Sequence, residues 1–185
     1  MSDNFSGMAG VQLLETTDAP RSLLGAIRRL LEEAFDGDFS EEDWDHTLGG
    51  WRAIVRVQES IVAHAAVVER RIFVGSRAYR TGYVEGVAVS PAHRRGGLGT
   101  AVMTAATALV RAKFDLGALS TGESGFYARL GWERWAGPSY VRDADGRLHR
   151  SADEDAGIMV LRCGASQDID CRDRIACEAR TGDSW

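Results

Sequence analysis

One stretch limits what this chain can fold into more than any other: Tyr83-Val-Glu-Gly-Val-Ala-Val-Ser-Pro-Ala-His-Arg-Arg-Gly-Gly-Leu-Gly-Thr100. Its first half predicts a strand, because β-branched residues dominate and Tyr83, Glu85, Val87 and Val89 fall on one face at period two. Pro91 cannot donate to a ladder and closes that strand. Arg94 and Arg95 follow, then Gly96, Gly97 and Gly99, and Thr100 to Phe114 runs on in a helical pattern without Gly or Pro. A strand thus passes through a basic, glycine-rich turn into a helix N-terminus. Glycine lets backbone approach a ligand closely, and the free N–H groups of a first helical turn favour an anion. The turn reads as a pyrophosphate cradle.

Other phosphate loops fit less well. No Lys precedes a Ser or Thr after the last glycine, so this is not a Walker motif. Val102 stands where a dinucleotide fingerprint needs its third glycine. An ordinary strand-to-helix turn would carry the same glycines, but the arginines between the Pro stop and the unbroken helix make the combination more specific.

At 185 residues the chain is long enough for one domain with a sizeable core, and 44% hydrophobic with 26% charged residues is a globular composition. The balance of 22 basic against 27 acidic residues gives a net charge of −5, which argues against a nucleic-acid partner and suits a cationic one. No apolar run reaches membrane-spanning length, and Met1 to Gly10 lacks a signal-peptide core; that terminus reads as polar and flexible. Cys163, Cys171 and Cys177 are odd in number without Cys-x-x-Cys spacing, and with four scattered histidines they predict no metal site. Reduced thiols in a cytoplasmic protein are the plain reading.

In chain order, Val11 to Glu15 reads as a strand. Thr17, Asp18 and Pro20 give helix-start signals for a helix bearing Leu23, Leu24, Ile27, Leu30, Leu31 and Phe35, ended by Gly37. Ser40 and Asp43 predict a capping box on a short helix to Leu48. Trp51 to Gln58 and Ile61 to Val74 form a hairpin, and Gly75-Ser76 turns into the central strand from about Ala78. After the long helix come a strand at Ala118 to Thr121, a brief helix at Phe126 to Leu130 and a strand pair at Trp132 to Trp135 and Ile158 to Arg162. Between those two lies a polar excursion, and Gln167 to Trp185 shows no strong period. The order β-α-α-β-β-β-α-β-α-β-β predicts an α/β (α+β) mixed sheet with helices on both faces.

Acid is concentrated at Asp38, Glu41, Glu42, Asp43 and Asp45, with Phe39 and Trp44 interleaved, as a site for a flexible polycation would need. Glu41 and Glu42 also suit a solvated first helical turn, whereas Asp38 lies in the preceding loop. Glu85 is an acid inside an apolar strand, where lack of a partner would be costly. It reads as a base at a strand opening, or else as a carboxylate facing solvent or paired with an arginine. Ser120 reads equally as a strand-end hydroxyl and Tyr127 as a core aromatic. His46, His64, His93 and His149 read as structural or surface groups.

Arg94-x-x-Gly97-x-Gly99 resembles the acetyl-coenzyme A motif of the GNAT N-acetyltransferase superfamily. The resemblance implies the GNAT acyltransferase fold, a mixed central sheet flanked by helices whose two central parallel strands splay apart, with the thioester between them. It implies that Val87, Ala88 and Val89 offer backbone to the pantetheine. It also implies that the amides of Arg94, Arg95, Gly96, Gly97, Leu98, Gly99 and Thr100 hold the pyrophosphate. Ala118 to Thr121 would be the second splayed strand, with Tyr127 near the coenzyme sulfur.

Longer blocks resemble the aminoglycoside 2'-N-acetyltransferases within that superfamily: Gly37 to Gly50, Gly82 to Val89, Leu116 to Ser120 and Gly182 to Trp185. They imply acetyl transfer from acetyl-CoA to an aminoglycoside, as in antibiotic resistance, by direct attack in a ternary complex, with Glu85 as base and Tyr127 as acid. Substrate contacts would come from Asp38, Asp43, Glu85, Gly86, Ser120, Asp183 and Trp185, and from Glu154 and Asp155 in the run Asp153-Glu154-Asp155. A single GNAT domain over 1–185, with 163–185 contributing to the substrate site, and a homodimer are further implications, without nucleic acid, membrane or metal. The same fold acting on a peptide terminus, polyamine or cell-envelope sugar remains open, as does a non-catalytic module binding coenzyme A or polycations.

Overall fold

The computed structural model describes residues 10–185. Of the terminus read as flexible, Met1 to Gly10, all but Gly10 lies outside the described residues. The chain divides into two compact units, one made of residues up to Val68 with Val84–Ala108, the other of Glu69–Tyr83 with Leu109–Trp185.

In the first unit, β1 (Val11–Glu15) leads to α1 (Arg21–Ala34) and α2 (Glu41–His46), then to β2 (Trp51–Val57) and the start of β3 (Ser60–Val74). β1 pairs antiparallel with β2, and β2 with β3. Leu23, Ile27, Leu30 and Leu31 share one helical stripe, and α1 buries them against Ile54, Ile61 and Ala88. Each such burial is worth about 1.5–3 kcal/mol. The start of α1 differs from expectation. Residues Thr16–Asp18 form a separate 3-10 turn, and Pro20 occupies the N-cap without any side-chain bond. At the other end Gly37, left-handed at φ 82°, donates its N–H to the Glu32 carbonyl. The capping box on α2 forms as predicted, Ser40 with Asp43.

The last residues of β4 (Arg77–Val89) and the first turns of α3 (Leu98–Lys113) complete this unit. The period-two face expected for Tyr83, Glu85, Val87 and Val89 is not kept. Tyr83 and Val84 are both buried, and Gly86 adopts φ +55°, which turns the strand and exchanges its faces. Ala88 therefore packs into the α1 core, while Val87 and Val89 stay half-buried.

The second unit adds β5 (Leu116–Ser120), α4 (Ser124–Ala128), β6 (Glu133–Arg134), β7 (Ser139–Arg142), β8 (Leu148–Arg150), β9 (Ile158–Arg162) and β10 (Ile175–Glu178). Its sheet runs β6-β9-β5-β4-β3-β10-β7-β8. β4 with β5 and β10 with β7 are parallel; β9 with β5 and β6, β3 with β10, and β7 with β8 are antiparallel. The sheet is therefore mixed, as expected. The central parallel register covers only Thr81–Tyr83 against Leu116–Ala118. Leu119 and Ser120 go on pairing with β9, beyond the last residue of the β4–β5 register. Gly82 and Gly117 lie opposite each other in that register, where added methyls would meet Phe114 at 2.7 Å and Val110 at 2.9 Å. The end of α3 thus rests directly on strand backbone. β7, β8 and β10 were not legible in the polar excursion and tail. Among them only β10 is largely buried, and pairing on both its sides holds it in place.

Candidate functional site

The turn between β4 and α3 has the geometry that anion binding asks for. Pro91–His93 forms a 3-10 turn, Arg95 and Gly97 both take left-handed backbone at φ 68° and 75°, and α3 begins at Leu98. Ala101 makes the first helical bond back, to the Gly97 carbonyl at 3.0 Å. The N–H groups ahead of it have no partner in the helix. No atom lies within 4 Å of where a Gly97 side chain would start, so the backbone is open to close approach. These features fit the pyrophosphate of a coenzyme. The Arg94 guanidinium is engaged elsewhere, on the Ala34 carbonyl at the C-terminus of α1 (3.2 Å), and so anchors the turn.

The acidic segment divides by role. Asp38 is exposed in the loop before α2. Asp43 spends one carboxylate oxygen on both the backbone N–H and the hydroxyl of Ser40, each at 2.9 Å, and Glu41 pairs with Arg28. Glu85 is half-buried immediately before Gly86.

Beneath Gly86 lies a group that sequence reasoning missed. Arg52 and His64 are fully buried. Arg52 Nη1 donates to His64 Nε2 at 3.0 Å, and Nη2 donates to the Thr47 carbonyl at 2.9 Å. The guanidinium also stands 5.3 Å from the Trp44 ring centroid. His64 Nδ1 lies 2.7 Å from the Gly86 carbonyl. Burial lowers the Arg52 pKa to about 10, and burial together with Arg52 lowers that of His64 to about 3. The signal for Arg52 was available: a cation set between Trp51 and Ala53-Ile54-Val55, where nothing else breaks the apolar run.

The second unit gathers most of the remaining expected residues. Ser120, at the end of β5, donates to Glu154 at 3.1 Å. Burial raises the Glu154 pKa, and the charge of Asp183 raises it further. Trp185 is buried and donates its indole N–H to Ser151 at 3.1 Å, while its backbone N–H bonds Asp183. Ser151 continues to Ser139, and Ser139 to Asp155. Arg150 grips Asp155 through both carboxylate oxygens and holds its pKa far below the usual range. Asp155 is therefore part of the internal frame, and Glu154 is the acid that meets Ser120 and Asp183. Tyr127 is buried on α4, hydrogen-bonded to Thr121, and burial pushes its phenol up to about 12. A separate cavity of about 550 Å³ is lined by Arg70, Arg71, Arg80 and Arg180, and none of the expected site residues lines it.

Residues 18–135 match the acetyltransferase (GNAT) domain. Over 94% of this chain and 91% of its relative, the sequence is 41% identical to an aminoglycoside 2'-N-acetyltransferase of Mycolicibacterium fortuitum. The chain belongs to the GNAT acetyltransferases. Within them it belongs to the family of that relative.

Solved structures agree on the fold. The GNAT family N-acetyltransferase YhbS of Escherichia coli, in complex with CoA, matches with a TM-score of 0.66 at 14% identity, over 94% of each chain. A GCN5-related N-acetyltransferase from Kribbella flavida matches with a TM-score of 0.56 at 23% identity. There the likeness covers 69% of this GNAT chain, which spans about a third (34%) of the larger protein.

Proposed function

We propose that this acetyltransferase moves acetyl from acetyl-CoA to the 2'-amino group of aminoglycosides, by direct attack in a ternary complex. What carries the reading is the near full-length kinship with an aminoglycoside 2'-N-acetyltransferase. The coenzyme supplies the acetyl group already activated as a thioester. The open backbone at Gly97 and the free amides at the start of α3 hold its pyrophosphate, and Val87 to Val89 offer backbone to its pantetheine arm.

The acceptor is a polycation, so its ligands are carboxylates. Asp38 is one, exposed and ahead of the α2 cap. Glu154, repelled by Asp183 and bonded to Ser120, is another, because an arriving ammonium relieves that repulsion. Asp43 and Asp155 serve by shaping α2 and the Ser139–Ser151–Trp185 frame. Glu85 removes a proton from the ammonium, since only the neutral amine has a lone pair to form the N–C bond. The Val87 N–H polarises the carbonyl under attack. As the C–S bond breaks, the nitrogen sheds its second proton, the departing thiolate takes up one proton in exchange, and Tyr127 donates a hydrogen bond to the sulfur. A phenol near 12 keeps its proton at neutral pH and is a weaker acid than a thiol near 8.5, so stabilisation by the donated bond outweighs full transfer.

The reading further assigns the enzyme to the cytoplasm as a homodimer that inactivates aminoglycosides, with no metal in any step. Three free thiols, all with raised pKa values through burial, need no oxidising compartment. The test is incubation with acetyl-CoA and a panel of aminoglycosides, polyamines and peptides, with NMR to locate the new amide. Acetyl on the 2'-nitrogen is expected. Transfer to peptides or polyamines alone overturns the acceptor, and coenzyme binding without transfer overturns the enzyme.

A further inference from the structure

The Arg52–His64 pair has no place in the chemistry just given, yet both side chains are fully buried. A fully buried guanidinium costs several kcal/mol unless its charge is compensated. Its described partners here are an imidazole, the Thr47 carbonyl and the Trp44 ring face, none of them a carboxylate. Arg52 Nε is buried with no acceptor among the described residues. Packing alone does not explain it, because an aliphatic side chain would fill the space at lower cost.

The chemistry of the contacts fixes their direction. A guanidinium has only donors, so His64 Nε2 is the acceptor and the imidazole proton sits on Nδ1. Nδ1–H then donates to the Gly86 carbonyl at 2.7 Å. That carbonyl belongs to the same peptide unit as the Val87 N–H. No peptide bond in the described chain is cis, so the unit is planar and trans, and its C=O and N–H point in opposite directions. Drawing the Gly86 carbonyl onto His64 therefore aims the Val87 N–H away from the core. Donation to the carbonyl also polarises the amide and makes its N–H a stronger donor. Gly86 is hemmed in at the same point: a methyl there would meet Thr47 Cγ2 at 3.0 Å and His64 Cε1 at 3.6 Å. Arg52 also ties in the end of α2 through Thr47, so the acceptor-side helix and the Gly86 bend share one buried anchor.

We infer that Arg52 and His64 are positioning residues for acetyl transfer, which orient and polarise the Gly86–Val87 peptide so that the Val87 N–H meets the thioester carbonyl. This rests on the acetyl-transfer reading above. His64 takes no proton from substrate and stays neutral as a fixed relay. Glu85 and Val87 flank the bend, so one anchor sets both the base and the carbonyl donor.

The full-length protein, labelled with 15N, tests this with carbonyl-13C acetyl-CoA. His64→Phe removes the donor to Gly86, whereas His64→Asn places an amide N–H where Nδ1–H stood. His64→Phe should lower kcat about tenfold to a hundredfold, the scale of a misplaced catalytic group, with KM for both substrates near the parent's. The Val87 amide proton should shift upfield before any ligand is added. The infrared band of the bound thioester carbonyl should lose its red shift. His64→Asn should recover most of all three. If His64→Phe does not fold, Arg52→Met leaves the imidazole in place but frees its tautomer, and should move the same signals in the same direction by less. Unchanged carbonyl and amide signals in the folded variants, or a His64→Asn as slow as His64→Phe, would overturn the relay while leaving acetyl transfer standing. A parent protein that binds acetyl-CoA but acetylates no aminoglycoside would overturn the reading beneath it.

Discussion

Gly86 and Gly97 both hold left-handed backbone, at φ +55° and +75°, in the same strand–turn–helix segment, but their surroundings are opposite. Gly86 is enclosed by Thr47, Leu31 and His64, with its carbonyl bonded. Gly97 has nothing within 4 Å of where a side chain would begin, and it sits in an exposed turn. At Gly86 the protein has filled the space and uses the bend to aim its own groups. At Gly97 the space stays open, and in the proposed function the coenzyme pyrophosphate takes it. One residue type in one backbone state thus occurs in two opposite environments, and only the neighbouring atoms tell them apart.

The largest effect should come from the residue that the filled bend aims. Glu85→Gln keeps shape but removes the proton acceptor, so kcat should fall by roughly two to four orders of magnitude, with acetyl-CoA affinity nearly unchanged. Steady-state kinetics decide it: a raised acceptor KM at constant kcat would make Glu85 a ligand and not a base.

Next is the acid side of the stability curve. His64 has a folded pKa of about 3 against an ordinary 6.5, held down by burial and then by Arg52. A depressed folded pKa means that the unfolded chain takes up the proton first. The contribution is therefore whole above about pH 6.5 and is lost as the pH falls toward 3, by a few kcal/mol. Denaturant titrations across that window should show a steeper loss for the parent than for His64→Asn. Parallel curves would mean that the filled bend is not anchored by a neutral imidazole.

Gly86→Ala should cost about 2–3 kcal/mol, from left-handed strain plus displacement of the Thr47 methyl. In a chain of this size that lowers Tm by roughly 4–12 °C, and kcat should drop with it. Gly97→Ala meets no neighbour, so only the strain of about 1 kcal/mol remains, or roughly 2–4 °C in Tm. Its signature should instead be a raised KM for acetyl-CoA, with kcat at saturation close to the parent's. Equal Tm losses for the two variants, or an unchanged KM in Gly97→Ala, would erase the distinction between filled and open glycine.

Much of the architecture was legible wherever local signals were strong. The Ser40–Asp43 capping box, the α1 stripe from Leu23 to Leu31, the β2–β3 hairpin and the passage from β4 through Pro91 into α3 all stand where spacing placed them, whereas Phe35, expected on that stripe, is the exposed C-cap residue of α1. Local signals failed where pairing partners, not composition, hold a strand. β8 is exposed along its whole length, and β10 is four residues in a charged tail, fixed by β3 on one side and β7 on the other. The start of α1 failed for a related reason, since Thr16–Asp18 closed its own turn before Pro20.

For the site, the amino-acid order by itself determined that a basic glycine turn opens a helix, that acids cluster around Asp38, and that an acid interrupts the central strand. These are covalent neighbours, and spacing is enough to read them. It could not decide which acids are free. Only the folded chain commits Asp155 to Arg150, Asp43 to Ser40 and Arg94 to Ala34, and leaves Glu154 facing Asp183. It could not place Arg52 and His64 under Gly86 either, because that relay joins residues from three strands whose contact exists only after the sheet has formed. Long-range hydrogen bonds choose among donors and acceptors that local sequence leaves equivalent, and in this protein they decide which charged groups remain available for chemistry.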